Sequence, residues 1–258
     1  MSSIVTNGNR IARYTSSEIV ALTKEGKVKG TWGAPALTYI EEKKMEMRLE
    51  RSIDSDTDSR PTNWGSLVEL VVASSLKDEY DFVGKETIPH PTLAHWAGSP
   101  DGFKKNTEQK TVIDFKCPFT MKSFCQLVDG LYEGKSGMDA MNHLRDTHKD
   151  GEKFYWQLVS NACLSGATHA ELIVYCPYKS DLDAIRQAAQ MLSEDSRYYF
   201  IAFAKDDELP YIKDGGYYKS LNTISFEVPQ EDKDRLTQLV IKATQALLQK
   251  NQSLNNNV

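Results

Sequence analysis

The chain is poor in cysteine, with Cys117, Cys125, Cys163 and Cys176 the only four in 258 residues. None pair as CxxC and none sit near histidine at zinc spacing, so neither a zinc module nor a disulfide framework is expected. The pattern predicts reduced thiols, as in cytosolic proteins. Long apolar runs are also missing. MSSIVTNGNR at the start has no apolar h-region, and no stretch reaches membrane-spanning length. This predicts a cytoplasmic protein with no membrane partner. Basic charge is not in excess: the formal net charge is -5 and the sequence pI about 5.6. That argues against a general coater of nucleic acid. It leaves open an enzyme that works through a local field at a cleft. The acidic stretch RSIDSDTDSRPT (51–62) lacks the glycine and the closing glutamate of an EF-hand, which excludes that calcium loop. No repeat and no interdomain linker interrupts the chain, and residues 1–258 read as a single domain.

What is present is ordinary globular composition, 40% hydrophobic and 26% charged, in segments of alternating type. YTSSEIVALTKEG predicts a helix with Ser16 or Ser17 as N-cap and Gly26 as its stop. APALTYIEEKKMEMRLE and NWGSLVELVVASSLKDEY predict two more. Short strands are expected in ETIPHP and LAHWAGS. The clearest strand is KTVIDFKCP, in which Val112, Asp114 and Lys116 point one way and Ile113, Phe115 and Cys117 the other. FTMKSFCQLVDGLYEG and EKFYWQLVSNACLSG predict helices, the second closed by Gly166. HAELIVYCP is a second strong strand, and SDLDAIRQAAQMLSED an amphipathic helix. Weaker extended segments are expected near 197–204 and 222–228, then a terminal helix and a frayed Asn-rich tail, 251–258. Trp64, Trp96, Tyr155 and Trp156 read as core, and His143 and His148 as surface residues. The order predicts an α/β fold with a mixed central β-sheet flanked by helices. N-terminal helices would occupy 10–60, the core 62–178, and further elements 179–250.

Asp114 and Lys116 share one face of a strand that otherwise reads as buried, and two charges there need partners. On its own, D-x-K is a common tripeptide. Here SPDG precedes it, and the turn FKKNTEQK brings Asp101 back beside Asp114. Two carboxylates converging with a lysine suit metal-dependent phosphodiester hydrolysis, in which carboxylate oxygens hold Mg²⁺ and the lysine orients or deprotonates water. Glu69 is the lone charge in SLVELVVA, where a buried acid would need a partner.

SPDGF…VIDFKCPFT resembles the signature of the PD-(D/E)xK nuclease superfamily, with its restriction-endonuclease-like core, and specifically the lambda exonuclease type of phage recombination nuclease. WGSLVEL (64–70), FYWQLVSNACLSGA (154–167), RIARYTSSEI (10–19) and TWGAPALTYI (31–40) match further segments of that family in order. The resemblance spans about residues 10–178. It departs from the family in having Asp114 where glutamate is usual, and in 130–153, which matches less well. By this resemblance Asp101, Asp114, Glu69 and the Phe115 backbone carbonyl would hold Mg²⁺, for which Mn²⁺ would substitute. Lys116 would hold the attacking water, with Gln157 beside the metal and the nucleophile. Arg10 and Ser17 would bind a 5′-phosphate, with Arg13 the alternative to Arg10. The implied activity is 5′→3′ exonuclease digestion of double-stranded DNA from a free end, generating 3′ single-stranded tails for recombination. Also implied are a single-strand annealing partner, a homo-oligomeric ring of three, and the bacterial host cytoplasm. The residues alone leave a PD-(D/E)xK endonuclease, an RNA-processing nuclease and a non-catalytic DNA-binding module open.

Overall fold

The computed structural model describes residues 10–53, 58–84, 86–192 and 196–249. The expected tail 251–258 lies outside the described residues. In chain order the elements begin with β1 (Tyr14–Thr15), a 3-10 helix (Ile19–Thr23), α1 (Ala34–Leu49) and α2 (Arg60–Leu76). Then come β2 (Tyr80–Phe82), β3 (Ile88–Pro89), β4 (Trp96–Gly98), β5 (Gly102–Lys104) and β6 (Thr111–Lys116). Three helices follow, α3 (Met121–Tyr132), α4 (Gly137–Thr147) and α5 (Gly151–Ser165), leading to β7 (His169–Tyr175). The chain ends in α6 (Leu182–Met191), the single-turn α7 (Tyr199–Ala202), β8 (Leu221–Glu227) and α8 (Gln230–Leu248).

The strands form a five-stranded sheet in the order β2-β5-β6-β7-β8 and a three-stranded one in the order β1-β4-β3. In the larger sheet β6 and β7 run parallel, with Thr111 opposite His169 and Lys116 opposite Val174, while the other pairs are antiparallel. A parallel pair needs a crossover, and α3, α4 and α5 supply it. Strict alternation along β6 feeds two cores. Val112 packs with α3, α4, α5 and α8 on one face, and Ile113 and Phe115 pack with α2 and α6 on the other. Trp64, Trp96, Tyr155 and Trp156 are all buried in these cores, as their composition led one to expect.

Three expectations need correction. Ser16 and Ser17 do not cap an α-helix. The segment is drawn into a strand against β4, Ser16 N–H donates to the Ala97 carbonyl (3.2 Å), and only the five-residue 3-10 helix follows, with no side-chain cap. The extended segment expected near 197–204 is helical over 196–202, because Tyr198 and Ile201 are buried three apart while Tyr199 and Phe203 face outward four apart. Within 130–153, α4 buries Ala140, Met141 and Leu144 at helical spacing between glycine-bearing turns. His148 is not a surface residue. It is 5% exposed, and its Nε2 faces Ser123 Oγ at 2.8 Å.

Candidate active site

The C-terminal half of β6 carries the charged side chains. Asp114 is 1% exposed and sits on the face beneath α5, where Gln157 Nε2 donates to its Oδ1 at 2.6 Å. Its Oδ2 contacts the Lys116 ammonium but takes no well-aligned hydrogen bond. The Lys116 side chain is 20% exposed, so it reaches both the buried acid and solvent. Phe154, one turn before Gln157 on α5, places its ring centroid 4.9 Å from Lys116 Nζ. That contact was not singled out in the sequence, although Phe154 opens the same FYWQ stretch.

Asp101 enters from the neighbouring strand. Residues 102 and 103 pair with 113 and 112, so the hairpin returns Asp101 to the level of β6, as the spacing predicted. There Asp101 Oδ2 accepts the Phe115 N–H at 2.6 Å, and Asp101 N–H donates to the Ile113 carbonyl at 3.3 Å. Asp101 is thus tied to Phe115 through the Phe115 amide. Gly102 is the first residue of β5. A Cβ there would run into the Asp81 backbone of β2, so its lack of a side chain is what lets β2 approach. Glu69 comes from α2, on the opposite core, and its charge acts on Asp101, Lys116 and Cys117. Gly65, on the same helix, lies against the Cys117 carbonyl at the end of β6.

The electrostatics are those of too many acids in one place. Burial, followed by the charges of Asp114 and Glu69, holds the Asp101 carboxyl well above the usual carboxylate range. Lys116 and the Phe115 amide oppose this only in part. Burial pulls the Lys116 ammonium down, but Asp114, Asp101 and Glu69 outweigh it and hold it above the ordinary lysine value. Three carboxylates acting together around Lys116 fit a site that takes a cation through oxygen ligands. Among the described residues no three His, Cys, Asp or Glu side chains already stand around one point at metal distance, and Lys116 itself is the cation against Asp114.

The N-terminal segment reaches this site from one side. β1 runs parallel to β4, with Thr15 opposite Ala97, only four residues before Asp101. That places the pairing within about 14 Å of Asp101 along the chain. Ser16 Oγ meets Ser160 Oγ at 2.8 Å, on the same helix as Gln157. Gly98 permits this approach, since a Cβ there would collide with Ser16 Oγ and stand 2.7 Å from Asn161 Oδ1. Ser17 lies in the turn that follows, with its Oγ 3.4 Å from Thr15 Oγ1. Arg10 begins a turn closed by Arg13 N–H to the Arg10 carbonyl (3.2 Å). No hydrogen bond or ion pair among the described residues joins Arg10 to the carboxylate cluster.

Comparison with known proteins gives a consistent picture. A family profile described as YqaJ-like viral recombinase domain matches residues 8–168. No curated protein matches the chain. Among solved structures, the alkaline exonuclease LHK-Exo from Laribacter hongkongensis superposes with a TM-score of 0.55 at 17% identity, covering 95% of this chain and 92% of that one. Its complex with dAMP gives 0.55 at 16%, with the same coverage. A phage-related exonuclease from Haemophilus somnus 129PT gives 0.57 at 14%, covering 91% and 93%. These likenesses establish a shared fold, the mixed sheet between helices expected of a PD-(D/E)xK core.

Proposed function

The chain belongs to the YqaJ-like viral recombinase domain family, the lambda exonuclease type of DNA-hydrolysing nuclease, and from that premise we propose a Mg²⁺-dependent exonuclease that digests linear duplex DNA from its 5′ ends and leaves 3′ single-stranded tails. The observation that carries this is the convergence at the end of β6 of Asp101, Asp114, Lys116 and Gln157, with Glu69 within electrostatic reach.

Asp101, Asp114, Glu69 and the Phe115 carbonyl would hold the cation, with Mn²⁺ able to replace Mg²⁺. When bound, the cation supplies Lewis acidity toward the scissile phosphodiester. Gln157 fixes the Asp114 carboxylate without cancelling its charge. Lys116, charged and partly exposed, holds and orients the attacking water. Arg10 with Ser17, or Arg13 in place of Arg10, would meet the terminal 5′-phosphate, because a planar guanidinium with nearby hydroxyls suits that group. A ring of three copies, an annealing partner and the host cytoplasm complete the reading on the family's pattern. Light scattering on the purified protein would test the ring.

The enzymatic test uses linear and circular duplex DNA, with and without Mg²⁺, and an RNA control. Digestion of linear duplex alone, dependent on the metal, is expected. Cutting of circles would make the protein an endonuclease, and equal cutting of RNA would overturn the DNA assignment. Asp101→Ala and Asp114→Ala should each abolish cleavage while duplex binding persists. Ca²⁺ should support binding without turnover, because its looser coordination misplaces the reacting groups.

A further inference from the structure

We propose that Glu46, in the last turn of α1, is a positioning residue for recognition of the DNA end: it pins the turn that presents Arg10 and Arg13. The inference rests on the reading above that this turn meets a 5′-phosphate. Glu46 is fully buried, and its two oxygens have different partners. Oε2 accepts the Ala12 N–H at 2.9 Å, thirty-four positions away in sequence, and Oε1 accepts Lys43 Nζ at 2.9 Å. Ala12 lies at the turn between the two arginines and takes φ 52, a left-handed conformation unusual for a residue with a side chain. Its carbonyl is held as well, 2.8 Å from His95 Nδ1. Both polar groups of one strained residue are therefore fixed by side chains from outside the turn. The segment beyond it is anchored to β4 and α5, the elements that lead to Asp101 and carry Gln157.

The pairing with Lys43 explains why the arginines are left for a ligand. A buried carboxylate tied to the turn through the Ala12 amide needs a cation to balance it. Lys43, 2% exposed and one turn away on α1, already balances that charge. Among the described residues neither Arg10 nor Arg13 forms an ion pair with a carboxylate. A buried ion pair adds little stability over an apolar pair of similar volume, but only an acceptor can hold the amide of Ala12.

The test compares rates on linear duplex bearing 5′-phosphate or 5′-hydroxyl ends in the full chain. Thermal melting and trypsin cleavage after Arg10 and Arg13 are followed in parallel. Glu46→Ala should fold, expose both arginines to trypsin, and lower the phosphate preference by about tenfold or more. The double variant Lys43→Met/Glu46→Gln keeps an acceptor for Ala12 without an ammonium facing it, so it should restore both the protection and the preference. If Glu46→Ala does not fold, Lys43→Met/Glu46→Leu removes the same acceptor without leaving the Lys43 ammonium in the core, and should give the same fall. A folded Glu46→Ala with unchanged preference, or a double variant as impaired as Glu46→Ala, would overturn the proposal. A wild-type protein indifferent to the end group, with Arg10→Ala and Arg13→Ala also indifferent, would sink the end-recognition reading. Trypsin then decides the pin separately, and cleavage no faster in Glu46→Ala than in wild type would remove it.

Discussion

Gln157 reaches Asp114 with a neutral amide rather than a charge. A lysine or arginine in its place would fix the same carboxylate but cancel the negative charge that a cation needs. Replacing Gln157 with alanine strips the donor from a buried Asp114 oxygen and frees the side chain to turn toward Lys116. Loss of such an outer partner costs about 10–100-fold at metal sites, and a fall in turnover of that size is expected for Gln157→Ala with little change in melting temperature. Gln157→Glu should be worse, because it sets one more carboxylate beside an over-acidic cluster. Single-turnover rates at saturating Mg²⁺ measure both, and a Gln157→Ala variant with wild-type turnover would remove the residue from the machinery. Asp101, Asp114 and Lys116 could be read from the chain because alternation in a strand and the reach of one hairpin are local rules, whereas Gln157, on a helix, was marked only by the family resemblance. His148 and Glu46 could not. Nothing beside them in sequence marks them as buried, since the groups that cover them come from helices or turns elsewhere in the chain.

Between α3, α4 and α5 the junction depends on a neutral histidine. His148 Nδ1 accepts the Asp150 N–H at 3.1 Å, so the proton of the neutral ring sits on Nε2, facing Ser123 Oγ in the first turn of α3. Phe154 packs against the ring at 5.4 Å. Burial holds the His148 pKa below the usual imidazole value, Asp150 opposes that and Lys149 adds to it. The unfolded chain takes up this proton near pH 6.5 and the native one does so only at lower pH, so stability is full above about 6.5 and falls as pH drops below it. His90, lowered by burial too, acts in the same direction. His148→Gln should therefore flatten, without abolishing, the decline of melting temperature between about pH 6.5 and 5. An unchanged decline would assign it to other groups. The same junction shows why elements differed in legibility. α2, α5, β6 and β7 follow apolar patterns with recognisable ends, such as Ser59 capping α2 and Gly166 closing α5 at φ 70. The 3-10 helix at Ile19–Thr23 and the helical turns at 196–202 are short, and there pairing with β4 or packing on α2 and α6 overrides local preference.

Over the whole molecule the net charge of -5 works against a polyanionic substrate, so DNA binding must draw on local clusters of lysine and arginine. Affinity for duplex DNA in Ca²⁺ should then fall steeply with salt, by a slope of about -0.9 for each phosphate contacted. A flat salt dependence would contradict a surface that tracks the backbone. The two-core architecture itself was foreseeable from strands that alternate with helices. The small sheet of β1, β4 and β3 was harder to foresee, because two-residue strands carry no period to detect. The crossover from β6 to β7 has one more consequence, in time rather than in space. Asp101, Asp114 and Lys116 leave the ribosome well before Gln157 and before β7, the parallel neighbour that completes the sheet around them. At roughly 5–20 residues per second of synthesis, several seconds pass in which the growing chain holds its acidic residues but not the scaffold that aligns them. A nuclease made beside the DNA of the cell that builds it is thus inert while nascent, and acquires its cutting geometry only after most of its length has been translated.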